Sequence, residues 1–533
     1  MRAQSSVTVL DGHDSIGGTK ILLSTGAERV LLDFGTNFRR MGTFYEEFLH
    51  PRPTRGLTDL LEVGLLPRRR GFYRSDLLPP GDYPRGDAEF EGEGPTAVFL
   101  THAHLDHCGA LAYLDPSIPV YLTPASLAIL RAWQETTKPD LFTEITYYTE
   151  RRTETGALLG TERGSPRRRR PFRLLGEPVG DLASVLSSSP SKRLAIDGPL
   201  PGSGAGDGPV RALNLHALTV DHSLYGSVAF VADVDGARVA YTGDVRFHGE
   251  RGRETESFLR ELERRAPDVL LVEGTRLLPA GATADQPITT EVEVARRSLA
   301  TVQEYAGRLV VADFGPRNIE RLKTFREVAQ STDRELVVTG KDAYLLALLA
   351  RAVPGVPTDF GPGRIRIWSE PTVRALSPWE ERVDAWFPDA VIGPDEIVRH
   401  PGRHLLCFSF FDANDLVDLR AATPGGLWLY SSSEAHGEEQ EFDFHRLQNW
   451  IAWAGMHQVG FHYDPSRDEL TFEPGYHASG HATQAELLEF VRRSNARRIV
   501  PVHSETPGRY RELLGPEGAR VELPVPGRAL PLA

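Results

Sequence analysis

An α/β architecture is the fold class this sequence predicts, and three observations predict it. Short apolar runs of strand length end abruptly in polar clusters. Ala97-Val98-Phe99-Leu100 runs up to His102, and Val239-Ala240-Tyr241 runs up to Asp244. Further on, Thr483-Gln484-Ala485-Glu486 is a capping box, and Leu487, Leu488, Phe490 and Val491 form the apolar stripe of a helix. The strand Arg498–Val502 follows it, so a crossover returns the chain to the same edge of a sheet. Finally, the runs Leu309-Val310-Val311-Ala312 and Leu336-Val337-Val338 alternate with helical stretches such as Asn318–Gln330, an α/β pattern of its own.

The length of 533 residues predicts two or more domains. Residues 1–278 form the first part of one domain, 285–460 a separate middle domain, and 461–533 the closing part of the first. Two stretches, 37–95 and 151–210, are rich in Gly, Pro and Arg and read as surface insertions. No internal repeat is evident.

The most informative stretch is His102-Ala103-His104-Leu105-Asp106-His107. It lies between a strand and a helix start, where side chains converge on a point. Imidazole suits borderline metals such as Zn, Mn or Fe, and carboxylate suits harder ones. Four ligands so close in sequence cannot all reach one ion, so His102/His104 and Asp106/His107 are expected to serve two different ions. His222, Asp244 and His503, each beside or ending an apolar run, bring the candidates to seven. That is enough for two divalent ions, Zn or Mn, sharing one carboxylate. Cys108 adjoins the motif and is read as a small packed residue.

These residues carry a family resemblance. THAHLDH, the His222 and Thr242-Gly243-Asp244 elements, and Asp33 in Leu31-Leu32-Asp33-Phe34-Gly35 resemble the ordered motifs of the metallo-β-lactamase fold. Val269–Thr275 with Glu273, His477-Ala478-Ser479-Gly480-His481, and Pro501-Val502-His503 resemble the three further motifs of its nucleic-acid branch, the β-CASP nucleases. The 22 residues from His481 to His503 match most closely the RNase J group. The resemblance implies an αββα sandwich with an inserted α/β β-CASP cap domain. It implies that His102, His104 and His222 hold one ion, that Asp106, His107 and His503 hold the other, and that Asp244 bridges them. His481, oriented by Glu273, is then the general acid, and Asp106 also orients the attacking water. The substrate is single-stranded nucleic acid, with RNA favoured by the histidine at position 503. His477 and Ser479 are expected to contact substrate phosphate, as is the hydroxyl-rich loop Ser431, Ser432 and Ser433, whose plainer reading is a helix N-cap cluster.

Composition sets bounds on this reading. The net charge of −13 argues against broad electrostatic adhesion to nucleic acid, though the ligand carboxylates are counted in it. The arginine runs 68–70 and 167–170 are either phosphate contacts or solvated turns. No apolar run reaches membrane-span length, and two cysteines are too few for a disulfide framework. A cytoplasmic protein with no membrane contact is expected. A DNA-repair or broad-specificity DNase of the same family is the alternative. A small-molecule hydrolase of the same fold would share the ligands but has no need of Glu273, the HxSGH element or a cap of this size. A flavodiiron-type protein would need a Glu in place of His104.

Overall fold

The computed structural model describes residues 5–46, 48–78, 93–155, 158–162, 164–204, 207–281, 289–315, 317–371, 373–432 and 438–532. Ser433 lies outside them. The chain forms two compact units. One comprises Met1–Phe247, Arg251–Ala284 and His481–Ala533, the other His248–Glu250 and Asp285–Gly480.

The first unit is a sandwich of two sheets. The larger has eight strands, in the order Gly202–Ser203, Phe172–Leu174, Val120–Leu122, Ala97–Phe99, Arg29–Phe34, Lys20–Ser24, Ser6–Asp11 and Ala529–Pro531. The smaller has five, in the order His216–Thr219, Val228–Val234, Ala237–Tyr241, Val269–Glu273 and Arg498–Val502. Val9, Ile21, Leu32 and Phe99 from one sheet share a buried cluster with Phe230, Tyr241, Leu271 and Val500 from the other. The opposite face of the smaller sheet packs Ala240, Leu270 and Ile499 against the helices Gly252–Arg264 and Gln484–Ser494, through Phe258, Leu262, Leu487 and Phe490. A strand covered on both faces reads as a continuous apolar run, as Val269–Val272 does.

Strand direction places the site. Ala237–Tyr241, Val269–Glu273 and Arg498–Val502 are neighbouring parallel strands, with Glu273 opposite Val502. Asp244, Glu273 and His503 therefore emerge from the carboxyl ends of three adjacent strands. In the larger sheet Arg29–Phe34 and Ala97–Phe99 are also parallel, which puts Asp33 beside the loop that begins at Leu100.

The insertions are less superficial than their composition predicts. Phe172–Leu174 and Gly202–Ser203 extend the larger sheet, and Leu57, Phe72 and Leu77 are buried. The arginine run is structural as well. Arg170 is buried and donates to the carbonyls of Ile145, Leu114 and Ala112, while Arg169 donates to those of Leu186, Ser187 and Gly198.

The second unit holds a seven-stranded, wholly parallel sheet in the order Val391–Ile392, Ile365–Trp368, Glu335–Thr339, His404–Cys407, Val310–Asp313, Leu427–Tyr430 and His457–Val459. The hairpin of Phe461–Asp464 and Glu469–Phe472 also belongs here, so the expected boundary at 460/461 falls instead after Gly480. The reason is apolar: Phe461 and Phe472 pack their rings on Tyr430 and Phe444. Among the described residues no helix is long and apolar enough to cross a membrane.

Candidate metal centre

The seven histidines and aspartates singled out in the sequence converge in the first unit as two groups. His102, His104, His222 and Asp244 form one, and Asp106, His107 and His503 the other. Asp244 also belongs to a third group, with Glu273 and His481.

In the first group the Nδ1 of His104 lies 3.1 Å from the Nε2 of His102 and 3.1 Å from the Nε2 of His222. Asp244 Oδ2 is 3.5 Å from His102 Nε2 and 3.8 Å from His222 Nε2. Four donors around a tetrahedral zinc at about 2.0–2.1 Å stand roughly 3.3 Å apart, the spacing found here. The Thr101 hydroxyl donates to Asp33 Oδ2, so its oxygen accepts from His102 Nδ1 at 3.1 Å. That leaves the His102 Nε2 lone pair facing the cluster. Burial holds the His102 pKa well below the ordinary range, and the neighbouring imidazoles reinforce the shift.

In the second group His107 donates from Nδ1 to Asp33 at 2.8 Å. Its Nε2 lies 3.2 Å from Asp244 Oδ2 and 3.7 Å from Asp106 Oδ2. His503 Nε2 is 3.0 Å from the same Asp106 oxygen, and its Nδ1 is 2.9 Å from Thr275 Oγ1. Burial opposes a charge on His107, but Asp244, Asp106 and Asp33 outweigh it and hold its pKa well above the ordinary value. Burial likewise opposes charge on Asp106 and Asp244, and His107 with His503 overrides it, keeping both well below the usual carboxylate range. Such a field draws a divalent cation by the same electrostatics that draw a proton. Two buried atoms here, His107 Nε2 and Asp244 Oδ1, make no hydrogen bond. Inward-facing ring nitrogens, clustered carboxylates and a buried carboxylate oxygen without a hydrogen bond fit a divalent metal centre.

Asp33 anchors both groups. It accepts from the Thr101 N–H and hydroxyl, from His107 and from the Tyr241 hydroxyl. Its backbone sits at φ 59° and that of His503 at φ 50°, both left-handed. Such strain concentrates where a side chain must be aimed.

His481 points Nδ1 at Glu273, 3.1 Å from Oε2 and 3.3 Å from Oε1. Glu273 is fully buried and is itself fixed by the Val245 N–H at 2.7 Å. Burial opposes protonation of His481, but Glu273 and then Asp244 raise its pKa to about 9. The imidazole ring centroid stands 5.0 Å from that of His222.

The expected phosphate contacts fare differently, and all lie in the second unit. Ser431 is fully buried, donates its hydroxyl to Tyr476 O at 2.7 Å and accepts from Arg321 at 2.9 Å. A hydroxyl with donor and acceptor spent inside the core is not a substrate contact, which corrects that expectation for Ser431. His477 sets Nδ1 2.8 Å from Ser432 O and Nε2 2.5 Å from Gly460 O, so its ring is committed to backbone carbonyls. The Ser479 carbonyl accepts from His248 Nε2 at 3.1 Å. Cys108 is buried.

Sequence reasoning missed a buried network behind the centre. Lys20 and Asp11 are an inaccessible ion pair at 3.0 Å, and Asn37 and Ser15 join them. The available signal was two charged residues flanking Gly12, Gly17 and Gly18 in otherwise apolar strands.

Comparison with known proteins agrees with this geometry. Residues 75–312 match the metallo-beta-lactamase superfamily, and residues 473–524 match the Zn-dependent metallo-hydrolase RNA specificity domain. Ribonuclease J of Pyrococcus abyssi is 20% identical over 512 residues, 94% of this chain and 89% of that protein. Ribonuclease J of Sinorhizobium meliloti is 22% identical over 417 residues, 77% of this chain, and the match spans only 57% of the relative's length. Transcription termination factor FttA of Pyrococcus horikoshii is 30% identical over 122 residues, 22% of this chain and 14% of that protein. A crystal structure of a protein of unknown function from Enterococcus faecalis shares the fold, with a TM-score of 0.63 at 19% identity, covering 99% of this chain and 100% of that one. The two matched domains and the Ribonuclease J relatives together support one reading of the chain, a metallo-β-lactamase-fold protein of the RNase J-like β-CASP kind.

Proposed function

We propose that this protein is a two-metal nuclease that hydrolyses phosphodiester bonds in single-stranded RNA. The observation that carries the reading is the sharing of Asp244. Asp244 groups with His102, His104 and His222 and with the His481–Glu273 pair, and its Oδ2 also lies 3.2 Å from His107 Nε2 in the other group. Two divalent ions, Zn or Mn, are assigned to His102, His104 and His222 on one side and to Asp106, His107 and His503 on the other, with Asp244 common to both. When bound, such ions activate water and neutralise charge on the phosphoryl oxygens.

The chain's own residues supply the rest. Asp106 presents an anionic carboxylate that can orient a water by accepting its hydrogen. His481, with Nδ1 directed at Glu273 and a pKa raised to about 9, is protonated at neutral pH. Its Nε2–H delivers a proton to the oxygen that leaves phosphorus, the role of a general acid. Glu273 is buried and accepts from His481 Nδ1, which orients the ring so that Nε2 is the nitrogen left to act. RNA is favoured over DNA by the names of the relatives and by the matched RNA specificity domain. Ser432 and Ser479 are the candidates for phosphate contact in the second unit.

The test is a gel assay on matched 5′-monophosphorylated RNA and DNA strands labelled at the 3′ end, with Mn²⁺ or Zn²⁺. Stepwise loss from the 5′ end of RNA alone supports an RNase J-like exonuclease. Internal cuts indicate an endonuclease, and equal cleavage of DNA a broad-specificity enzyme. Inactivity on both strands by protein holding two metals would overturn the nuclease reading.

A further inference from the structure

We infer that the buried Lys20–Asp11 pair is a positioning element for one ion only, the one assigned to Asp106, His107 and His503. The inference rests on the two-ion reading above and adds a residue pair outside the ligand set.

The pair closes a loop at both ends. Lys20 Nζ, fully inaccessible, reaches Asp11 Oδ2 at 3.0 Å and the Gly18 carbonyl at 3.1 Å. Asp11 Oδ1 accepts from the Gly12 N–H at 2.9 Å and from Asn37 Nδ2 at 2.9 Å. Asn37 donates as well to Ser15 Oγ, inside the loop. One ammonium and one carboxylate thus fix Gly12, Ser15 and Gly18 together.

That loop holds the backbones of two of the three ligands of one group, Asp106 and His503. The N–H groups of Gly18 and Thr19 donate to the Asp106 carbonyl at 3.0 and 3.2 Å, and the Gly12 carbonyl accepts the His503 N–H at 2.7 Å. Packing is close: a Cβ on Gly17, at φ +80°, would stand 2.6 Å from the Asp106 Cβ. Asp106 and His503 are 397 residues apart and share one hydrogen-bonded contact, so their separation is set by what the loop imposes on each backbone. The other group has a different support. His102 leans on Thr101 and through it on Asp33, while His222 follows Asp221, whose carboxylate pairs with buried Arg246 at 3.2 Å.

The test is metal binding by the full chain, followed with Co²⁺ alone through its absorption spectrum and through metal content. Loss of a partner behind a ligand typically weakens metal affinity roughly 10- to 100-fold. In Lys20→Met one Co²⁺ is expected to bind as in the parent while the second weakens by that factor. Its one-ion spectrum should match that of His503→Ala and differ from that of His222→Ala. Asp11→Asn keeps the shape and the Gly12 contact while discharging the carboxylate; it should show the same selectivity and serves if Lys20→Met does not fold. Parallel weakening of both ions, or retention of both, would overturn the inference. A parent chain that binds fewer than two Co²⁺ would overturn the two-ion reading itself, so the two failures are distinguishable.

Discussion

Buried carboxylates occur in both units, and their fates are opposite. In the first unit Asp106 and Asp244 are driven below the usual carboxylate range because imidazoles crowd around them. In the second unit burial drives Asp313 well above that range and Asp342 up to about 7, with Asp412 adding to both shifts. The partners differ rather than the depth. Asp313 receives only the Trp428 indole N–H at 3.2 Å, and Asp342 caps a helix through the Thr339 N–H and hydroxyl. A carboxylate surrounded by cationic donors is held as an anion ready for metal, whereas one that serves as a cap is held toward its neutral form. Buried acidity by itself therefore does not mark a site; what faces it does.

The comparison can be broken most sharply at Asp244. Asp244→Ala removes the oxygen common to both groups, and it should abolish binding of at least one ion and cut hydrolysis by ~10³-fold or more. Metal analysis beside the strand-cleavage assay checks this; full activity with one ion would place the shared ligand elsewhere. Next in size, His481→Ala should lower turnover about 10²–10⁴-fold with metal content intact, the scale of a lost general acid. Loss of metal and activity together would make His481 a ligand instead.

The second unit responds to pH in the reverse sense. An acid whose folded pKa is raised gives its full stability below the ordinary value near ~4 and loses it as pH rises through the folded value. Six of the seven tryptophans lie in the second unit, so fluorescence-detected melting reports on it. Stability should fall on the order of 2 kcal/mol between pH 5 and 8. Asp313→Asn combined with Asp342→Asn should flatten the dependence, and an unchanged slope would assign it to other groups. The smallest effect concerns Ser431. Ser431→Ala should cost about 1 kcal/mol in that same melt and leave KM for RNA unchanged. A raised KM with unchanged stability would return Ser431 to the substrate.

The legibility of the chain follows the range of the interactions involved. The alternation of apolar runs and helical stripes gave the α/β class, because burial on both faces leaves a local mark. The convergence of residues 102 to 107 was readable for the same reason: the cluster is local and sits at a strand end. Glu273 and His481 were readable only through wording that resembles known motifs, whereas His503 also ends an apolar run. Ser431 was misjudged because three adjacent serines do not show that Arg321, 110 residues away in sequence, occupies the first of them. The Lys20–Asp11 pair was missed because a lysine that opens a strand reads as solvent-exposed, and only tertiary packing buries it. The hairpin at 461–472 was assigned to the wrong unit because aromatic contacts with Tyr430 and Phe444 leave no periodic signature.

The parallel pairing of Val269–Glu273 with Arg498–Val502 carries a consequence for biosynthesis. More than 220 residues intervene between Glu273 and the strand that delivers His503. A nascent chain still short of His481 already holds His102, His104, Asp106, His107, His222 and Asp244, yet lacks both His481 and His503. Closing so long a loop is entropically slow relative to local folding. The centre therefore completes late in synthesis, and a polypeptide terminated before His481 carries six of the seven candidate ligands without His503 or His481.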